Sequence, residues 1–315
     1  MRKRTYIERI CVVAVVAWTL SSVENLSAEP KVVPELQVVP VPYDQASFQR
    51  DGVELTRYHF GASLHRPFFY PINGPSGLSL TRMGHPHDPE THSHHNSVWI
   101  SHHDVDGVDF WSDSGKGYIL HKRIVEYTDE GKRSTLTAEN RWITPDGMHL
   151  LDETRKVSVL LLDKGEWMMI IDMELKPTGK AVTLGKTPFG MIGVRMAKTI
   201  GVHDGGGTIR NSEGAVNEKE VLWKRAKWVD YSGAIKNQRI EGITLLDHPD
   251  NPNHPTYFHV RNDGWMGASL CFDGPRTIEP DKPLHLRYGL YIHYGMREKE
   301  VIDAKWKLFT ELDKK

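Results

Sequence analysis

Seven histidines fall between His85 and His103, in a chain that carries seventeen among its 315 residues. The stretch reads GHPHDPETHSHHNSVWISHHDVDGVDFW. Imidazole titrates near neutral pH and is the commonest metal ligand. Pro86 and Pro89 keep the first half out of a regular helix, and alternate side chains of an extended segment share a face. His85 with His87, or His92 with His94, can therefore chelate one ion, and such ligands suit Zn, Cu or Fe. The spacing matches no closed structural zinc pattern and contains no HExxH. The same loop can instead work without metal: His94, His95 and His103 then pass protons, and Asp104 orients an imidazole or acts as base. A polar surface loop is the third reading.

Other candidates lie further along the chain. Arg66, in HRPFFYPINGP, can hold an anion or carboxylate through its planar fork. Arg195 is a lone charge in the apolar run TPFGMIGVRMA, so it is paired or faces a cavity. Asp247 and His248 open a proline-locked loop, DHPDNPNHP, where Asp247 is a second candidate base and His248 a candidate ligand contact. In TYFHVRND the alternation puts Tyr257, His259 and Arg261 on one face; the His and Arg pointing together suggest a pocket wall, with His259 for proton transfer and Arg261 for charge. Gly205-Gly206-Gly207 lacks the strand-then-helix setting of a nucleotide loop and reads as a turn.

The elements that must position these residues read as strands. YILHKRIVEYTD, STLTAENRWIT, ETRKVSVLLLD, EWMMIIDMELKP, GITLLDHP, TYFHVRNDG, MGASLCFDG and LHLRYGLYIHYG are short and rich in β-branched and aromatic residues. Turn signals such as Thr144-Pro145-Asp146-Gly147 separate them. Only residues 297–314 read as a helix, with Val301, Lys305, Leu308 and Leu312 near one stripe and Ile302, Trp306 and Phe309 beside it. The expected fold is all-β: a large antiparallel β-sandwich with a C-terminal helix.

The N-terminus has the order of a secretory signal: basic Arg2, Lys3, Arg4 and Arg9, the apolar run 11–20, then Leu26-Ser27-Ala28. Cleavage after Ala28 leaves a proline-rich lead-in, 29–42, and one domain, 43–315, with a formal charge of about −3. The expected location is outside the cytoplasm, periplasmic or extracellular. Cys271 is then the one cysteine, in an apolar run, which leaves no intrachain disulfide. The near balance of 40 Lys+Arg against 41 Asp+Glu offers no basic field for nucleic acid, and no span long enough for a membrane follows the leader.

Taken together, RPFFYPINGPSG, the histidine stretch, TPFGMIGVRMA, NSEGAVNEKEVLWKRAKWVDYSG, GITLLDHPDNPNHPT and FHVRNDG resemble the bacterial secreted family labelled methane oxygenase PmoA, from about residue 50 to 295. The resemblance implies an exported protein found with carbohydrate-catabolic genes. The membrane methane oxygenase subunit of that name is an integral membrane protein, so methane oxidation is not carried over. RTIEPDKPLHLRYGLYIHYG is similar to the end of galactose-mutarotase-like supersandwich domains, which bind sugars on a concave sheet face and use His and carboxylate as acid and base. The expectation is a carbohydrate-binding or carbohydrate-processing protein with a small-molecule or oligosaccharide ligand in a His/Arg-lined cleft. The alternatives are a metalloprotein built on the histidine loop and a non-catalytic glycan-binding module. Whether residues near 94 and 259 meet in space decides whether they form one site.

Overall fold

Alternation of apolar and polar residues makes one face of each strand insoluble alone, and two sheets bury those faces against each other. A computed structural model describes residues 32–84, 92–112 and 114–313. The leader, His85 and His87 lie outside the described residues. The chain divides into Met1–Val33 and Pro34–Lys315, and the fold is that of the second unit.

In chain order the strands are β1 (Leu36–Val41), β2 (Gln45–Arg50), β3 (Val53–His59), β4 (Phe68–Ile72), β5 (Val98–His102), β6 (Tyr118–Glu130), β7 (Arg133–Ile143), β8 (His149–Leu161), β9 (Trp167–Pro177), β10 (Val182–Leu184), β11 (Gly190–Arg195), β12 (Thr208–Asn211), β13 (Lys224–Ala226), β14 (Trp228–Lys236), β15 (Arg239–Asp247), β16 (Thr256–Arg261), β17 (Trp265–Ser269), β18 (Arg276–Ile278) and β19 (Leu284–Tyr294). Among the described residues they form a nine-stranded sheet, β1-β2-β3-β4-β5-β11-β17-β16-β13, an eight-stranded sheet, β12-β14-β15-β19-β9-β8-β7-β6, and the small pair β10-β18. The pairings are antiparallel, as in β11 with β17 and β8 with β9. The chain therefore forms the expected two-sheet antiparallel sandwich. Part of the proline-rich lead-in is itself β1, paired with β2.

The core lies between the sheets and holds Phe48, Ile100, Leu136, Val157, Ile192, Phe258 and Leu290. Cys271 is buried among them, its thiol pushed up to about 12 by burial. The C-terminal helix α3 (Lys299–Glu311; shorter α1, Val202–Gly205, and α2, Asn217–Val221, precede it) covers the other face of the eight-stranded sheet. Its buried residues are Ile302 and Phe309, with Trp306 partly so, packed on Met168, Ile170, Trp228, Leu246 and Tyr291. Val301 stays exposed, so the stripe through Ile302 is the one that packs. Burying each such side chain contributes about 1.5–3 kcal/mol. Two indole N–H groups pin the helix: Trp228 donates to Asp303 at 2.8 Å, and Trp306 donates to the Asp247 carbonyl at 2.9 Å. No helix among the described residues is long and apolar enough to cross a membrane.

Candidate functional site

Four adjacent strands, β5, β11, β17 and β16, build the site on the outer face of the nine-stranded sheet. Their register sets Trp99 opposite Gly193, Gly193 opposite Gly267, and Gly267 opposite His259. The next row sets Arg195 opposite Trp265, and Trp265 opposite Arg261. The two glycines leave the middle of this face bare, and two indoles fill the gap. A Cβ on Gly193 would stand 2.6 Å from Cη2 of Trp265 and 2.9 Å from Cζ2 of Trp99. One on Gly267 would stand 2.8 Å from Cζ2 of Trp265. Trp111 completes the cluster, edge-on to Trp265 at 5.7 Å between ring centroids.

The histidine turn rests on this aromatic floor. His95 stacks on Trp265 at 4.8 Å and on Trp99 at 5.2 Å, with His92 at 4.7 Å and His94 at 4.5 Å around it. On the far side His259 meets Trp265 edge-on at 5.9 Å and Phe189 at 5.3 Å. Between them opens a cavity of about 440 Å³, bordered by His92, His94, His95, Phe189, Trp223, His259, Arg261, Asp263 and Trp265. That volume is within the range of small-molecule sites. Residues near 94 and 259 thus share one space.

The two histidines nearest the floor are neutral at pH 7. Burial pushes His259 down to about 4, and the nearby Arg261 charge adds to this. Burial, followed by the charges of His94 and Arg195, holds His95 well below the usual imidazole range. A neutral imidazole offers one donor and one acceptor, so neither can serve as a general acid near neutrality. His95 Nδ1, His259 Nδ1 and the indole nitrogens of Trp99, Trp111 and Trp265 are buried with no hydrogen-bond partner among the described residues. Buried polar atoms are nearly always paired, so five such ring nitrogens in one place is an unusual concentration. The cations are committed: Arg195 bonds Asp263 at 2.9 Å, and Arg261 lies 3.2 Å from Glu218.

Several expected site residues serve the scaffold instead. Arg66 is buried behind the turn, where its guanidinium donates to the carbonyls of His94 and Trp111 and to Asn96 Oδ1. It holds the histidine loop and is not among the cavity's bordering residues. Asp104 accepts from the Gly107 N–H at 2.8 Å, closing a turn. His103 lies beyond Phe189, 3.8 Å from Asp109 and half-exposed. Asp247 is buried and accepts from Asn251 at 2.7 Å and the Thr256 N–H at 3.1 Å, with His254 Nδ1 at 2.7 Å. It locks the loop that joins the sheets, because a buried carboxylate must be satisfied wherever the chain places it. His248 belongs to a separate and larger groove of about 740 Å³ on the eight-stranded sheet. There Arg287 pairs with Asp172 at 2.9 Å and Asp313 at 3.3 Å. The smaller cavity is the better candidate, since the rings of His95, Phe189, Trp223, His259 and Trp265 converge at its walls.

A metal fits the described donors poorly. Among the described residues no three His, Cys, Asp or Glu side chains are arranged to hold an ion. The His92 and His94 rings are 6.4 Å apart, and the His95 ring is packed on two indoles. His85 and His87, the other expected ligands, lie outside the described residues.

Reasoning from sequence alone misses Trp265, Trp223, Phe189 and Asp263. The pairing of Trp265 with Gly267 in WMGAS was the available signal, since a glycine beside an aromatic in a strand marks close approach of another group.

Residues 45–307 match a family of unknown function (DUF6807). No curated protein matches the sequence. Among solved structures, the chain is similar to an aldose epimerase homologue from C. elegans, with a TM-score of 0.31, 7% identity, and coverage of 84% of this chain and 99% of that one. It is also similar to a TPR-domain containing protein from Parabacteroides distasonis, with a TM-score of 0.36, 8% identity, and coverage of 83% and 49%. A heparinase III follows, with a TM-score of 0.27, 12% identity, and coverage of 80% and 30%.

Proposed function

The chain belongs to the DUF6807 family of unknown function, so its activity has to be read from its own site, and we propose that the cavity between His95 and His259 binds a carbohydrate. One observation carries this reading: the rings of His95, Phe189, Trp223, His259 and Trp265 border a single cavity of about 440 Å³ beside the polar groups of Arg261 and Asp263. A sugar presents C–H faces for these rings and hydroxyls for Arg261 and Asp263 at the cavity wall. The likeness to proteins labelled methane oxygenase supplies no step, and the leader-like residues 1–28 support an exported location.

Asp263, held by Arg195, and Arg261, paired with Glu218, would orient the sugar's hydroxyls, while the neutral rings of His95 and His259 line the wall. The test is thermal unfolding of residues 29–315 against a panel of mono- and oligosaccharides. Stabilisation of the wild type by at least one sugar, lost in Trp265→Ala, is expected. No shift with any sugar removes the reading. NMR of the stabilising sugar after long incubation then separates turnover from binding alone.

A further inference from the structure

The cavity does not end at its rim. Trp223 borders it, 6.3 Å from the His259 ring, and also meets Phe272 outside it at 5.8 Å. Phe272 in turn meets Tyr257 at 4.6 Å, and the Arg225 guanidinium lies 4.3 Å above the Tyr257 ring. These rings form a strip beside β16 and the edge strand β13. Trp223 is 46% exposed. Its backbone sits at φ +57°, a conformation that costs a bulky side chain energy and persists where the surroundings fix it. Here the Trp223 N–H donates to the Phe258 carbonyl at 2.8 Å, which holds that ring at the mouth of the cavity.

We propose that the strip Trp223–Phe272–Tyr257 carries further rings of the ligand outward, so that the bound molecule is a neutral oligosaccharide chain and not a single sugar. The inference rests on the carbohydrate reading of the cavity. The rings supply apolar faces in a line that begins where the cavity opens. Neutrality follows from the charges along the route. Arg225 is held by Asp273 at 2.8 Å and by the carbonyls of Asn253 and Pro255 at 2.7 Å each, and Arg261 faces Glu218. An acidic polymer would need cations without carboxylate partners, and neither arginine on this path is one.

Calorimetric titration with glucan-, xylan-, mannan- and galactan-derived series, from monosaccharide to hexasaccharide, tests this. Uronate-bearing chains serve as the charged comparison. In the best series the wild type should gain about tenfold in affinity between the single sugar and the longer chains, about 1.4 kcal/mol. Tyr257→Leu, which keeps bulk without the ring, should remove that gain and leave the single-sugar affinity unchanged. Trp265→Ala should abolish binding at every length. Equal affinity for single sugars and chains, or a length gain that survives in both Tyr257→Leu and Trp223→Leu, overturns the strip while leaving the cavity reading intact. Gain confined to uronate chains overturns neutrality. Failure of every sugar to bind the wild type overturns the cavity reading and the strip with it.

Discussion

Substituting Gly193 by alanine tests the aromatic floor directly. The added carbon would lie 2.6 Å from Trp265 and 2.9 Å from Trp99. Carbon atoms prefer about 3.5–4.0 Å, so the rings must yield by about 1 Å. The strand cannot yield for them, because β11 is hydrogen-bonded on both sides, to β5 and β17. His95 stacks on both indoles and must follow. Overpacking of this kind costs about 1–3 kcal/mol, which for a domain of this size lowers Tm by about 2–5 °C. Gly179→Ala is the control, since its Cβ would meet nothing within 4 Å, and it should stay within about 0.5 kcal/mol of wild type. Thermal unfolding gives the stability term, near-UV circular dichroism reports the indoles, and sugar titration reports the site. Gly193→Ala should lower Tm, change the aromatic spectrum and weaken sugar binding together. If it melts with the control and keeps the wild-type spectrum, the indoles do not rest on that glycine and the account of the floor is wrong.

Other expectations concern charge. The folded His259 titrates at about 4 against an ordinary 6.5, so between those values the unfolded chain binds a proton that the folded one refuses, and stability falls as pH drops through that window. The full effect is about 3 kcal/mol, with about 2 kcal/mol expressed between pH 7 and 5. Urea midpoints at the two pH values should therefore diverge less for His259→Gln than for wild type, and equal losses would contradict a neutral His259. Arg66→Met leaves the His94 and Trp111 carbonyls without their donor and should cost about 2–4 kcal/mol; a larger loss of sugar affinity than Gly179→Ala shows would confirm that Arg66 positions the turn. Asp247→Ala should cost about 3 kcal/mol by denaturant titration, with sugar affinity unchanged in the folded fraction, because its partners lie in the 251–256 segment and not in the cavity.

Period-two alternation made most of the sandwich readable, and the same rule put His259 and Arg261 on one face before any coordinates. The functional split among charged residues was not readable. Arg66 reads as a ligand-binding group in sequence and Asp247 as a base, yet their partners are mostly backbone groups and amides that only the tertiary fold brings to them. Asp104 announces chemistry by its neighbours and performs a turn. Trp265 fails in the other direction: an indole in an apolar strand reads as core, and only the cross-strand register shows that glycines lie beneath it on an outer face. The histidine stretch itself is partly strand, since β5 runs through His102, whose ring bonds the Gly185 carbonyl at 3.0 Å.

The helix α3 and the cavity occupy opposite outer faces of the sandwich, one on each sheet. A surface tether attached beyond α3 would therefore leave the cavity side pointing away from its support. Immobilised that way, every molecule presents the same face, and the same cavity, to the sample.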